Sequence, residues 1–371
     1  MHTTLRIPLP RALAALASGL PGLALALGLA LAGLAPSPAH ADDTPAARFG
    51  EALSPVFQAD LPLALRRLRA LPDEGLDASR RATRDCVLAR FATPASTADA
   101  SLPADLPPDV AAALAAFRRY WTAVLMHRAS PAEAEAALSR DLGRLLPDAP
   151  ADLDARSDAA VRLAESRGWH ALGGVTEPLH EFMLWRNDLA HVEHAALPGE
   201  SRPVDVTVHA LNGFASFGWG AWGTCDRAHT GGWTTDAGAM VVSASWDLAS
   251  EAYRVSLLAH EARHFADRAR YPALAQTDLE FRAKLVELAL ARDTQAALLA
   301  NFAAGGKRDR SLPHPFAEWW VVERLAQRLH VADRAAWSPD AVRAAARDEL
   351  AAHTAALEAK GAAVVTSVLP D

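Results

Sequence analysis

Two stretches in the middle of the chain, "VDVTVHAL" at residues 204–211 and "GAMVVSASW" at 238–246, are rich in β-branched residues and alternate in part between apolar and polar. On both sides the apolar positions instead recur every three or four residues, the spacing of one helix face. Before them this holds from Ala46 to about Leu189, in "FQADLPLALRRLRAL", "DVAAALAAFRRYWTAVLMHR" and "AEAEAALSRDLGRLL". After them it returns at 251–270, 274–303, 315–330 and 339–359. The two periodicities predict an α+β fold, predominantly α-helical, with a small antiparallel sheet at 203–246 preceding four helices at 251–359. The segment between the strands, "NGFASFGWGAWGTCDRAHTGGWTTD", holds three of the ten tryptophans. It reads either as a Gly-rich hairpin whose aromatics fill the core or as a binding hairpin whose edge pairs with an extended peptide.

The N-terminus places Arg6 and Arg11 ahead of an apolar run that ends near Ala39-His40-Ala41, the layout of an export signal cut after Ala41. Expected regions are therefore a leader at 1–41, an α-helical region at 42–200 and a second region at 201–371, in a secreted or periplasmic protein. Removing Arg6 and Arg11 with the leader takes the formal charge from −7 to −9, which argues against nucleic acid as a partner. No second stretch is long and apolar enough to span a bilayer, so no membrane contact is expected after cleavage. Cys86 and Cys225, exported together, form either one bridge or two thiols. Oligomeric state leaves no signature.

Within 251–270 lies "VSLLAHEARHFADRARYP". At 100° per residue, Val255, Leu258, Ala262, Phe265 and Ala269 form an apolar back, while Tyr253, His260, His264, Asp267 and Tyr271 share another side. His260 and His264, one turn apart, can share one metal ion, and Glu261 can reach a water on that ion without being a ligand. H-E-x-x-H is the arrangement in which two neutral imidazoles hold Zn²⁺ and a glutamate takes the water's proton. The other reading is a solvated polar stripe.

A catalytic zinc needs a third protein ligand. After Pro272, "TDLEFRAKLVELAL" starts another helix and carries Glu280, sixteen residues beyond His264. Glu287, two turns on, and Asp278 are the other choices. Thr277-Asp278-Leu279-Glu280 is also a capping-box pattern, in which Glu280 would bond back to the Thr277 amide and bind no metal.

"HEARH" followed by "LEFRAKL" on the next helix resembles the gluzincin branch of the zincin metallopeptidases, over roughly residues 203–303. The resemblance implies a zincin-like core of a small sheet, an HExxH helix and a glutamate helix. It also implies Zn²⁺ on His260, His264 and Glu280, Glu261 as general base, and a peptide or protein substrate. Two features depart from it. Lys284 stands one turn after Glu280, where many gluzincins have an acidic or amide partner, a part Asp267 is able to take for a ligand imidazole. Positions 267 and 270 exclude the metzincin pattern.

Tyr271 and His314 are further candidates, as donors to the oxyanion of a tetrahedral intermediate. His191 and His194, in "HVEH", and His209 read as surface or packing histidines. The expectation is an exported zinc-dependent hydrolase, most plainly a metallopeptidase. The alternative is a periplasmic binding module with a structural or absent metal, contacting its partner through Trp219 and Trp222.

Overall fold

The computed structural model describes residues 45–92, 102–235, 237–331 and 333–370; the expected leader lies outside them. The fold is mixed α+β, 57% helical, with a five-stranded curled sheet. Six helices lead: α1 (Pro45–Leu53), α2 (Leu61–Ala70), α3 (Ala78–Arg90), α4 (Pro108–Leu125), α5 (Pro131–Leu145) and α6 (Leu153–Ser166). Then come β1 (His170–Thr176), β2 (Leu179–Ala195), β3 (Val204–Phe217), α7 (Trp219–Thr224), β4 (Gly232–Thr235) and β5 (Gly238–Val242). The chain finishes with α8 (His260–Arg270), α9 (Gln276–Leu290), α10 (Gln295–Gly305), α11 (Pro313–Leu329) and α12 (Pro339–Lys360). None of these helices is long and apolar enough to cross a membrane.

The chain divides into two units. The first takes residues 45–184 and Ala215–His229. Side-chain caps start its helices: Asp60, Asp77 and Asp152 each accept an amide hydrogen bond, and Ser130 with Glu133 forms a full capping box on α5. Its core is apolar and aromatic, with Phe117 stacked on Phe182 at 4.7 Å and Trp121 donating its Nε1–H to the His180 carbonyl. Cys86 of α3 is bridged to Cys225, just past α7.

The second unit takes Trp185–Phe214 and residues 230–370. Val206 and Val208 of β3 and Ala239 and Val241 of β5 supply the sheet's part of its core, against Leu257, Leu258 and Ala262 ahead of and within α8. This packing fixes which face of α8 is buried.

Four expectations are corrected. The helical pattern read to about Leu189 ends at Ser166, and β1 and β2 follow. Leu179 to Trp185 are buried without a break, His180 and Glu181 included, so the sequence shows no apolar–polar alternation to mark a strand. The sheet, of order β1-β2-β3-β5-β4, is not antiparallel throughout, since β5 runs parallel to β3. The Gly and Trp segment is not one hairpin: it holds α7, whose Trp219 and Trp222 are buried and donate to Thr176 and Thr122. These anchors outweigh the poor helix propensity of Gly220 and Gly223, and they leave neither indole presented to a partner. The helix expected over 274–303 breaks between α9 and α10, where the Glu251 carboxylate accepts from the amides of Arg292 and Thr294.

Candidate metal centre

A π-helical stretch, Tyr253–Ala259, runs directly into α8 and delivers His260 at its first position. One turn on, His264 projects from the same side. The rings meet edge to face at 4.7 Å, with their Nε2 atoms 3.0 Å apart. Two buried nitrogens at that distance need a cation or a proton between them.

α9 is buried along nearly its whole length, from Thr277 to Ala289, although it carries Asp278, Glu280, Arg282, Lys284 and Glu287. Burying so many ionisable groups is tolerable only if each has a partner. Asp278 accepts from Ser367 and the Val368 amide. Arg282 pairs with Asp267 and Lys284 with Glu318. The two glutamates turn to the histidines. Because α9 begins at Gln276 with Ala275 ahead of it, the Thr277 capping box does not form; Glu280 Oε1 instead accepts from Gln276 Nε2 at 2.9 Å, and the carboxylate faces α8. Its Oε2 lies 3.4 Å from His260 Nε2, and its Oε1 lies 3.4 Å from His264 Nε2.

His260, His264 and Glu280 each offer one ligand atom within 4.8 Å of the others. Zn²⁺ with bonds of about 2.0–2.1 Å in tetrahedral geometry implies ligand edges of about 3.3 Å; the two Nε2 atoms lie 3.0 Å apart, and each is 3.4 Å from a different oxygen of Glu280. Two further observations bear on fit. Glu280 Oε2 is buried and accepts no well-directed hydrogen bond, although His314 Nδ1 lies 2.9 Å away. His260 Nδ1 is 2.7 Å from Glu287 Oε1, so a ring that keeps its Nδ1 proton for Glu287 would give Nε2 to a cation that displaces the second proton. The donor set fits a divalent cation of the zinc type.

The electrostatics point the same way. Burial disfavours charge on His260, but hydrogen bonds to Glu280 and Glu287 more than offset it and push the imidazole up to about 10. Burial would raise Glu280, yet the His264 charge and the close approach of His260, His264 and His314 hold it well below the usual carboxylate range. Lys284 remains cationic against its burial because Glu287, Glu318 and Glu280 surround it. Such a cluster stabilises positive charge at its centre.

Glu261 is half-buried, and its Oε2 accepts from Thr234 Oγ1 on β4. His314, near the start of α11, stacks parallel to His260 at 6.2 Å and belongs to the cluster. Asp267 does not: Arg263 and Arg282 occupy its two oxygens, so it is no partner for a ligand imidazole. Glu287 takes that part instead. Tyr271 is fully buried, donates to Glu358 and stands apart from the histidines. Asp278 is engaged with the chain's last residues. His191, His194 and His209 each pair with one carboxylate, of Glu193, Asp205 and Asp188. Thr234 had no signal in the sequence, because its reach to Glu261 depends on the sheet.

Compared with known proteins, the chain matches no family model, no curated protein and no solved structure.

Proposed function

We propose that the protein is an exported zinc-dependent hydrolase, a gluzincin-like metallopeptidase, in which His260, His264 and Glu280 hold the metal. The observation that carries this reading is the triangle of those three residues with Glu261 beside it. When bound, zinc supplies Lewis acidity that makes water acidic and polarises a carbonyl. Glu261, with one oxygen held by Thr234, takes the proton of the attacking water on the other and passes it to the nitrogen of the leaving amine. Glu287 orients His260. A structural zinc uses four protein ligands, whereas His260, His264 and Glu280 are the three that group here among the described residues, the number a catalytic zinc would use.

A peptide substrate is favoured by β4, the last strand in the sheet order, which lies alongside Glu261 and offers outer main-chain groups to an extended chain. Export is supported by the Cys86–Cys225 bridge, since disulfides persist in oxidising compartments.

The test compares wild type with Glu261→Gln for metal content by mass spectrometry and for hydrolysis of a mixed peptide library. One zinc per chain in both, with turnover falling at least about 100-fold in the variant, is expected of a lost general base. Equal turnover in the variant overturns the mechanism, and no zinc in either protein overturns the reading.

A further inference from the structure

We propose that β4 gives a substrate main chain one place to pair, at Thr234, and that short peptides therefore bind as tightly as long ones. The inference rests on the peptidase reading of the same site and deepens it to a substrate class.

Four residues make up β4, opposite Val241, Met240, Ala239 and Gly238 of β5 in antiparallel register. In such a pair, opposed residues alternate between exchanging main-chain hydrogen bonds and turning those groups outward. The Val242 amide donates to the Gly231 carbonyl at 3.0 Å, which sets the phase. Trp233 and Thr235 therefore face β5, while Gly232 and Thr234 turn their N–H and C=O to the free edge.

Gly232 has no capacity left. Its N–H donates to Thr230 Oγ1 at 3.1 Å, and the same hydroxyl donates back to its carbonyl at 2.6 Å. One buried threonine thus closes both outward groups of the neighbouring position. The strand ends at Thr235. Only Thr234 remains within β4, and its side chain already holds Glu261. A peptide residue pairing there is set in register with the general base, while residues further along the substrate meet no open partner on this strand. Strand-addition binding normally gains with each successive pair; here the gain stops after the first.

The test uses zinc-loaded Glu261→Gln protein, which binds without turning over, titrated calorimetrically with free-ended tri-, tetra- and hexa-alanine. Equal affinities within about twofold are expected across the three lengths. Adding Thr230→Val, which keeps the shape and releases Gly232, is expected to tighten hexa-alanine about tenfold over tri-alanine, the return of two hydrogen bonds. Adding Thr230→Ser instead is expected to preserve the flat profile, and thermal unfolding checks that each variant folds. A tenfold rise with length in the parent protein, or no gain from Thr230→Val in a folded protein, overturns the inference alone. Failure of all three peptides to bind a protein that carries zinc overturns the peptidase reading and this inference with it.

Discussion

Ser130-Pro131-Ala132-Glu133 and Thr277-Asp278-Leu279-Glu280 have the same local pattern, and the protein uses them in opposite ways. In the first, Glu133 returns to the start of α5 and accepts from the Ser130 amide at 2.9 Å, while the Glu133 amide donates to the Ser130 hydroxyl. In the second the helix starts two residues earlier than that box requires, and Glu280 faces the imidazoles of α8 while its Oε1 also accepts from the Gln276 side chain. Surroundings account for the difference. Glu133 is exposed and has no stronger partner than the helix terminus. Glu280 is buried among three histidines, where an ionised carboxylate is worth more than a cap.

The most damaging way to test the contrast is to remove the charge at each site. Glu280→Gln is expected to weaken zinc binding more than about 100-fold, beyond what loss of an outer partner costs, as measured by competition with a chelator. Glu133→Gln is expected to leave zinc affinity untouched. Wild-type affinity in Glu280→Gln would remove this residue from the ligand set and dissolve the contrast.

A third glutamate isolates the effect of burial. Glu181, in the first unit, is buried like Glu280, and its Oε2 has no hydrogen-bond partner. Burial pushes it up to about 8, only partly offset by the Trp219 amide. The folded chain therefore holds a proton here that the unfolded chain gives up near its ordinary value of 4.5. Stability from this group is complete below that value, falls as pH rises through the window up to about 8, and is flat beyond. Between pH 5 and 9, wild type is expected to lose on the order of 3 kcal/mol more than Glu181→Gln in urea unfolding. Parallel pH profiles would mean that Glu181 finds a cation, or water, on folding.

These cases mark what was legible in the sequence. The pairing of His260 and His264 on one side of α8 was, because helical period alone puts them together, with Ala262 in the core; the π-helical turn of 253–259 ahead of them was not. The distance from Glu280 to those histidines was not, since the same residues also spell a helix cap, and only the start of α9 at Gln276 decides between the two. The buried strand at Leu179 to Trp185 gave no alternation to read. Glu287 was visible as a residue on the face of Glu280, but its bond to Nδ1 of His260 rather than to the metal side depends on how α8 and α9 pack. Thr234 and Thr230 acquire their roles from the register of β4 on β5, a relation between strands that neither strand's sequence contains.

The smallest expected effect is also the most direct probe of the two patterns. Ser130→Ala removes a cap that is formed, and is expected to cost about 1 kcal/mol in urea unfolding with no change in zinc affinity. Thr277→Ala removes a hydroxyl that caps nothing. It makes only long contacts, 3.5 Å to Asp278 Oδ2 and 3.3 Å from Arg310 Nη2, so a loss below about 0.5 kcal/mol is expected. Because Glu280 does not lean on Thr277, zinc affinity should hold as well. Equal losses at the two positions, with zinc binding strengthened by Thr277→Ala, would mean that the second box forms in solution and competes with the metal for Glu280. The imidazoles would then have to win that carboxylate from its own helix end each time the site fills.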